Sequence, residues 1–144
     1  LGNTFSLISL SSEREWLQKA AETYQFAIVR QEDNTLIGNC GLEPISHIHR
    51  TAEAGLFIGE EADRGKGYGA EALGLLVDYG FHSIMLRVFS FNERAIACYK
   101  KIGFQEFGRR RECYYLNGIY YDSIHMDLLK EEREHILYEQ RKGE

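Results

Sequence analysis

No stretch of this chain approaches the roughly 20 consecutive apolar residues that a membrane-spanning helix needs, and no basic-then-apolar leader opens it. Neither a span nor a secretory signal is therefore expected. Cysteine is scarce as well: Cys40, Cys98 and Cys113 are odd in number, widely spaced and contain no C-x-x-C pair. That excludes a disulfide framework and a zinc ribbon, and it fits a reducing, cytoplasmic setting. Cys98 and Cys113 read as core thiols rather than nucleophiles. Proline occurs once, at Pro44, and no low-complexity tract or internal repeat interrupts the sequence. With no linker in sight, residues 1–144 are expected to form a single domain. Positive charge is also in short supply, 17 Lys and Arg against 22 Asp and Glu, for a formal charge of -5. A general nucleic-acid binder would be basic, so the balance argues against nucleic acid and suits a cationic or amine partner.

What is present is a core: 44% of the residues are apolar and 12% aromatic, which excludes wholesale disorder. Residues 11–22, with Trp16, Leu17, Ala20 and Ala21 on one face, read as an amphipathic helix. Tyr24–Arg30 and Leu36–Leu42 read as a hairpin about the Glu32-Asp33-Asn34 turn, 43–51 as a loop, and Ala52–Ile58 as a third strand. Gly59–Lys66 is polar and glycine-flanked, hence a loop. From Gly67 the period turns helical, with Leu73, Leu76, Val77, Gly80 and Phe81 opposite Glu71 and Asp78. Ile84–Phe91 is a strand. Asn92 is a natural N-cap for the next helix, Lys100 and Lys101 suit its last turn, and Gly103 suits its end. Phe104–Leu116 and Ile119–Leu129 flank Asn117-Gly118, the signature of a type I′ hairpin. A charged, helical tail starts at Lys130. Strands that precede and follow single helices predict a mixed sheet rather than a wholly parallel one.

The glycine rhythm of Arg64-Gly65-Lys66-Gly67-Tyr68-Gly69-Ala70 follows a strand and opens a helix. Residues without Cβ let consecutive backbone N–H groups face one point, and the helix dipole adds positive potential there. Such a turn cradles an anion of the pyrophosphate kind. A P-loop is excluded, because five residues rather than four separate Gly59 from Gly65-Lys66, and Gly67 occupies the Ser/Thr position. A dinucleotide fingerprint fits formally as Gly65-x-Gly67-x-x-Ala70, but a polar loop separates it from its strand. The following helix carries Asn92-x-x-Ala95-x-x-x-Tyr99-x-x-x-Gly103-Phe104. Seven residues at about 100° each return Asn92 and Tyr99 to within about 20° of one face, so an amide and a phenol share a side.

These residues resemble the GCN5-related N-acetyltransferases (GNAT). Arg64-x-x-Gly67-x-Gly69 is similar to their acetyl-coenzyme A signature, Q/R-x-x-G-x-G/A, and Asn92…Tyr99…Gly103-Phe104 to their second motif. Asn117-Gly118-x-Tyr120-x-Asp122 resembles the branch that holds ribosomal-protein and polyamine acetyltransferases. The resemblance runs from roughly the first helix to Leu129. It implies an α/β (α+β) fold with a mixed, mostly antiparallel central sheet flanked by helices. It also implies acetyl-coenzyme A as cofactor, and as substrate a polyamine, another small amine or a protein N-terminus. By position, the backbone of Leu56, Phe57 and Ile58 would pair with pantetheine, and amides from Arg64 through Gly65, Lys66, Gly67, Tyr68 and Gly69 to Ala70 would hold the pyrophosphate. Asn92 would bond the cofactor arm, and Tyr99 would protonate the departing thiolate. Glu53 is the candidate base, because enzymes of the polyamine branch often carry an acid there. Homodimers are common in that branch, so a homodimer is an expectation of the same kind.

Each assignment has a plainer alternative. Tyr99 at helical spacing also suits core packing, and Glu53 an outward-facing strand carboxylate. Glu43 and Asp122 could attract a cation, or Asp122 could tie the hairpin. His47-Ile48-His49 lacks a third ligand, so no metal is expected; His125 reads as a half-buried strand histidine. Arg109-Arg110-Arg111 reads as a charged strand surface that discourages edge pairing. Lys66 or Arg64 could touch a ribose phosphate. The resembled enzymes have a strand and helix before the point where Leu1 stands, and more residues between Phe81 and Ile84, so missing residues are expected at both places. A non-catalytic acyl-coenzyme A sensor, or a partner-binding relative, is the rival from another class; turnover separates it from an enzyme.

Overall fold

A computed structural model describes the backbone of residues 5–9 and the whole of residues 23–59 and 67–143. The helix expected at 11–22 lies outside the described residues. The chain divides into two compact units, Leu1–Phe81 and His82–Glu144.

In the first unit, strands β1 (Phe5–Ser9), β2 (Tyr24–Arg30), β3 (Thr35–Ser46) and β4 (Thr51–Ile58) form an antiparallel meander in chain order. The β2–β3 turn is set by a local carboxylate: Asp33 Oδ1 accepts from Thr35 N at 3.1 Å, Arg30 pairs with Asp33 at 2.7 Å, and Asn34 sits at φ 57. The Arg30 hydrogen bond, above all, holds the Asp33 carboxyl well below the usual range. β3 extends beyond the expected Leu42 to Ser46. The ladder skips register between Leu42 and Ile45, so Pro44, which has no N–H to donate, falls where pairing is already interrupted. The loop expected over 43–51 thus shrinks to the turn 47–50. Ile28, Ile37, Cys40 and Leu42 are almost wholly removed from solvent. Helix α1 (Tyr68–Val77) packs on β3 and β4 and buries Ala72, Leu73, Leu76 and Val77. It stops short of the expected Phe81: Asp78 N closes onto Gly74 O at 3.2 Å, and Gly80 turns the chain away at φ 96.

Gly38 admits no substitute in this sheet. A Cβ there would overlap the carbonyl oxygen of Phe57 on β4.

In the second unit, β7 (Ile119–Leu129) lies between β5 (Ser83–Phe89) and β6 (Gln105–Leu116), antiparallel to both. Alternation on the core face produces three directly opposed apolar pairs, Ile84–Leu128, Leu86–Met126 and Val88–Ile124. Helix α2 (Glu93–Ile102) begins as expected, with Asn92 Oδ1 accepting from Ala95 N at 3.2 Å. It ends at Gly103, φ 126, beside the buried Phe104. Asn117 (φ 50) and Gly118 (φ 83) both take the positive φ that a type I′ turn requires. Helix α3 (Lys130–Lys142) starts where the Glu132 side chain accepts from Leu129 N at 2.9 Å. Every described ladder within the units is antiparallel, in keeping with the expected sheet. No helix among the described residues is long and apolar enough to cross a membrane.

The thiols divide by environment, and one expectation is corrected: Cys113 is exposed rather than in the core, because neither face of β6 is covered. Burial pushes Cys40 up to about 12 and also raises half-buried Cys98. A thiol-exchange reagent such as Ellman's should therefore titrate one prompt equivalent from the native protein, a slower second, and Cys40 only on unfolding. Three prompt equivalents would contradict this burial.

Candidate active site

Gly67, at φ 84, is the N-cap of α1. Its carbonyl takes the first helical bond, from Glu71 N at 3.1 Å, and as a glycine it has no side chain with which to cap the amides that follow. The N–H groups of Tyr68, Gly69 and Ala70 belong to the first turn, which has no helical acceptor to offer them. Tyr68 anchors this turn by burying its ring. Gly69 brings the helix start onto β4, since a Cβ there would lie 3.2 Å from Leu56 Cδ2. The sequence-predicted residues Leu56, Phe57, Ile58, Gly67, Tyr68, Gly69 and Ala70 are thereby collected at one place: the end of a strand and the positive end of a helix. On its inner edge that strand end pairs with Cys40, Asn39 and Gly38 of β3. Arg64, Gly65 and Lys66 lie outside the described residues.

Glu53 is half-buried on β4, between Ala52 and Ala54, which face the core. Its neighbours across the ladder are the bulged residues Glu43 and Pro44. Glu43 is exposed and accepts from Gln25 Nε2 at 3.0 Å. The bulge alters the aim of the Glu43 side chain relative to a regular strand.

In the second unit, Asn92 and Tyr99 stand on α2. Capping occupies the Asn92 amide oxygen, which leaves its NH₂ group as the donor toward a ligand. Tyr99 is half-buried, with its ring edge-on to Phe104 at a centroid distance of 6.3 Å. The expected alternatives for this residue, core packing and chemistry, are both compatible with that position. Burial, then the neighbouring Cys98, push its phenol above the ordinary tyrosine value, so the hydroxyl keeps its proton at neutral pH.

Asp122 has a structural occupation. Its Oδ1 accepts from Glu112 N at 2.9 Å, its N–H donates to Ser90 Oγ at 3.1 Å, and Arg109 approaches Oδ2 at 3.5 Å. It ties the β6 bulge and the β5–α2 turn to β7. Sequence spacing weighed Asp122 for such a tie but offered no sign of Ser90 or Glu112. His125 is half-buried on β7, its ring edge-on to Phe107, as expected.

Comparison with known proteins shows the family. Residues 5–105 match the family described as acetyltransferase (GNAT) domain. YdaF of Bacillus subtilis (strain 168), whose name places it with ribosomal N-acetyltransferases, is 30% identical over 125 residues, 83% of this chain and 68% of YdaF. The spermidine N(1)-acetyltransferase of Vibrio cholerae is 34% identical over 108 residues. That match takes in 72% of this chain and 62% of the relative, so the chain spans under two thirds of the latter's length. Among solved structures, spermidine N-acetyltransferase from Vibrio cholerae in complex with CoA and spermine superposes with a TM-score of 0.73 at 29% identity. The superposition covers 83% of this chain and 75% of that one. GNAT acetyltransferases use acetyl-coenzyme A. With its mixed α/β fold of antiparallel strands, the chain belongs to the acetyltransferase (GNAT) family.

Proposed function

We propose that this chain is an N-acetyltransferase that moves an acetyl group from acetyl-coenzyme A to a primary amine, by direct attack within a ternary complex. The observation that carries the reading is the Gly67–Ala70 turn, whose main-chain donors sit against Leu56 at the end of β4. Its amides would hold the pyrophosphate, the backbone of Leu56–Ile58 the pantetheine, and the Asn92 NH₂ the cofactor arm. Bound there, acetyl-coenzyme A supplies an activated acyl carbon and a thiol leaving group.

The acceptor amine attacks only once it is neutral. Glu53 would take up its proton, directly or through a water. As the carbon–nitrogen bond forms and the carbon–sulfur bond breaks, the proton held on Tyr99 would pass to the sulfur. A raised phenol pKa suits that role, because the donor must still carry its proton when the thiolate leaves. Backbone N–H groups would offset the negative charge that grows on the carbonyl oxygen.

A cationic polyamine is the acceptor to test first. The formal charge of -5 and the spermidine acetyltransferases among the similar proteins support that choice over a neutral amine. The 144 residues would act as one catalytic domain, and the free thiols suit the reducing cytoplasm. Coenzyme A release, followed with a thiol reagent against spermidine, spermine, an aminoglycoside and a peptide N-terminus, tests the reading. Amine-dependent release is expected. Cofactor binding without release for any amine would replace the enzyme by an acyl-coenzyme A sensor.

A further inference from the structure

An open cleft of about 250 Å³ lies in the first unit, lined by Tyr24, His47, Arg50, Tyr79, Gly80 and Phe81. It sits at the opposite end of that unit from the Gly67–Ala70 turn. Arg50 immediately precedes β4, whose eight residues run about 23 Å, at about 3.3 Å per step, to the edge proposed for pantetheine. Gly80 follows α1, whose ten residues put its far end about 15 Å from the turn. The cleft is therefore separate from the proposed cofactor cradle, and acyl transfer gives it no task.

One side of the cleft is made of rings. Tyr24 stacks on Tyr79 at a centroid distance of 5.6 Å, and Phe81 tilts against Tyr24 at 6.3 Å and against His47 at 6.5 Å. The other side is cationic. Arg50 ends the β3–β4 turn at φ 56, a left-handed conformation that is uncommon for a residue with a Cβ. Among the described residues its guanidinium meets the Gly80 carbonyl oxygen, at 3.4 Å, and no carboxylate. Most of its five N–H donors thus stay available to a ligand. No acid stands between Glu43 and Glu53, a run that holds His47 and His49 as well as Arg50.

We propose that this cleft is a second small-molecule site, for a planar aromatic carboxylate whose ring lies against Tyr24, Tyr79 and Phe81 and whose anionic group Arg50 holds. Such a site is independent of acyl transfer. A guanidinium fork matches a carboxylate with two parallel hydrogen bonds, and a flat ring adds stacking to that pairing. An amine is the wrong ligand: aromatic faces attract cations, but Arg50 at the same cleft repels them. Inorganic phosphate would satisfy the fork and leave the rings unused. The volume falls below the roughly 300–1,000 Å³ of a drug-sized site, which limits the ligand to about one ring. The chain as a whole carries -5, so an anion is drawn by this local charge, within a Debye length of about 10 Å.

Fluorine NMR with 4-fluorobenzoate as the probe, with and without excess coenzyme A, tests the proposal. Line broadening should saturate with a dissociation constant of about 1 mM or tighter, unchanged by the coenzyme. Arg50→Gln should raise that constant at least about tenfold, since the charge-assisted pair is lost. Arg141→Gln, at an equally exposed position on α3, should leave it unchanged. Cyclohexanecarboxylate and phosphate should displace the probe at least about fivefold less well than benzoate, and benzylamine not at all. Circular dichroism reports folding; if Arg50→Gln unfolds, Phe81→Leu is measured instead and should weaken binding at least about threefold. Absence of saturable binding overturns the proposal, and so does displacement of the probe by coenzyme A. A folded cleft variant that binds like wild type, an equal loss in Arg141→Gln, or equal displacement by any of the three competitors would overturn it too.

Discussion

Replacing Tyr99 by Phe should slow acetyl transfer about a hundredfold while leaving affinity for coenzyme A within about twofold. The variant removes one oxygen from a half-buried ring that keeps its edge-on contact with Phe104, so α2 should fold as before. What disappears is the proposed proton donor. Positioned acids contribute about 10² to 10⁴ to rate, and the lower figure applies where solvent can partly substitute. The pH profile supplies a second readout. Wild-type activity should rise as the amine loses its proton, then fall as Tyr99 ionises, above the ordinary tyrosine value of about 10. In the Phe variant the alkaline fall should vanish. Unchanged turnover in that variant would remove Tyr99 from the chemistry and return it to packing.

Replacing Gly38 by Ala should destabilise the protein by about 3 kcal/mol, roughly 10 °C in Tm for a chain of this size. The added methyl meets the main-chain oxygen of Phe57, which no rotamer change can move aside. Relief requires β3 and β4 to part at Ile58, opposite Gly38, where Leu56–Ile58 are proposed to face pantetheine. Coenzyme A affinity should therefore fall along with stability. Gly55, on the neighbouring β4, has nothing within 4 Å of the corresponding position. Gly55→Ala should change stability by no more than about 0.5 kcal/mol. Thermal melts of the two variants side by side check the pair, and equal shifts would refute the steric account.

The legible elements were those that neighbouring residues specify. β2 has its expected bounds, Asn92 caps α2, and Asn117-Gly118 turns the hairpin, each through chemistry confined to a few positions. β1 was not foreseen, because five residues, Phe5–Ser9, become a strand only by pairing with β2, a partner some twenty positions away. The run through Pro44 was read as a loop, since proline alone argues against a strand; the bulge that admits it depends on β4. The helical period after Gly67 overran to Phe81, because Leu76, Val77 and Phe81 keep the spacing while Gly80 quietly ends it. Cys113 was read as core from the burial habit of free cysteine, yet whether a strand is covered depends on what packs against it. The glycine rhythm pointed to the α1 turn because its cause is local. Ser90 and Glu112 were invisible beside Asp122, being 32 and 10 residues away in sequence.

The proposed grip by the peptide groups of Tyr68–Ala70 has nothing that a point substitution other than proline can delete, because every other amino acid carries the same donor. Variation there is filtered by bulk and by the path of the chain, not by functional group. If the diphosphate binds as proposed, enlarging Ala70 should thus weaken coenzyme A binding in proportion to the volume added, whether the newcomer is apolar, polar or charged.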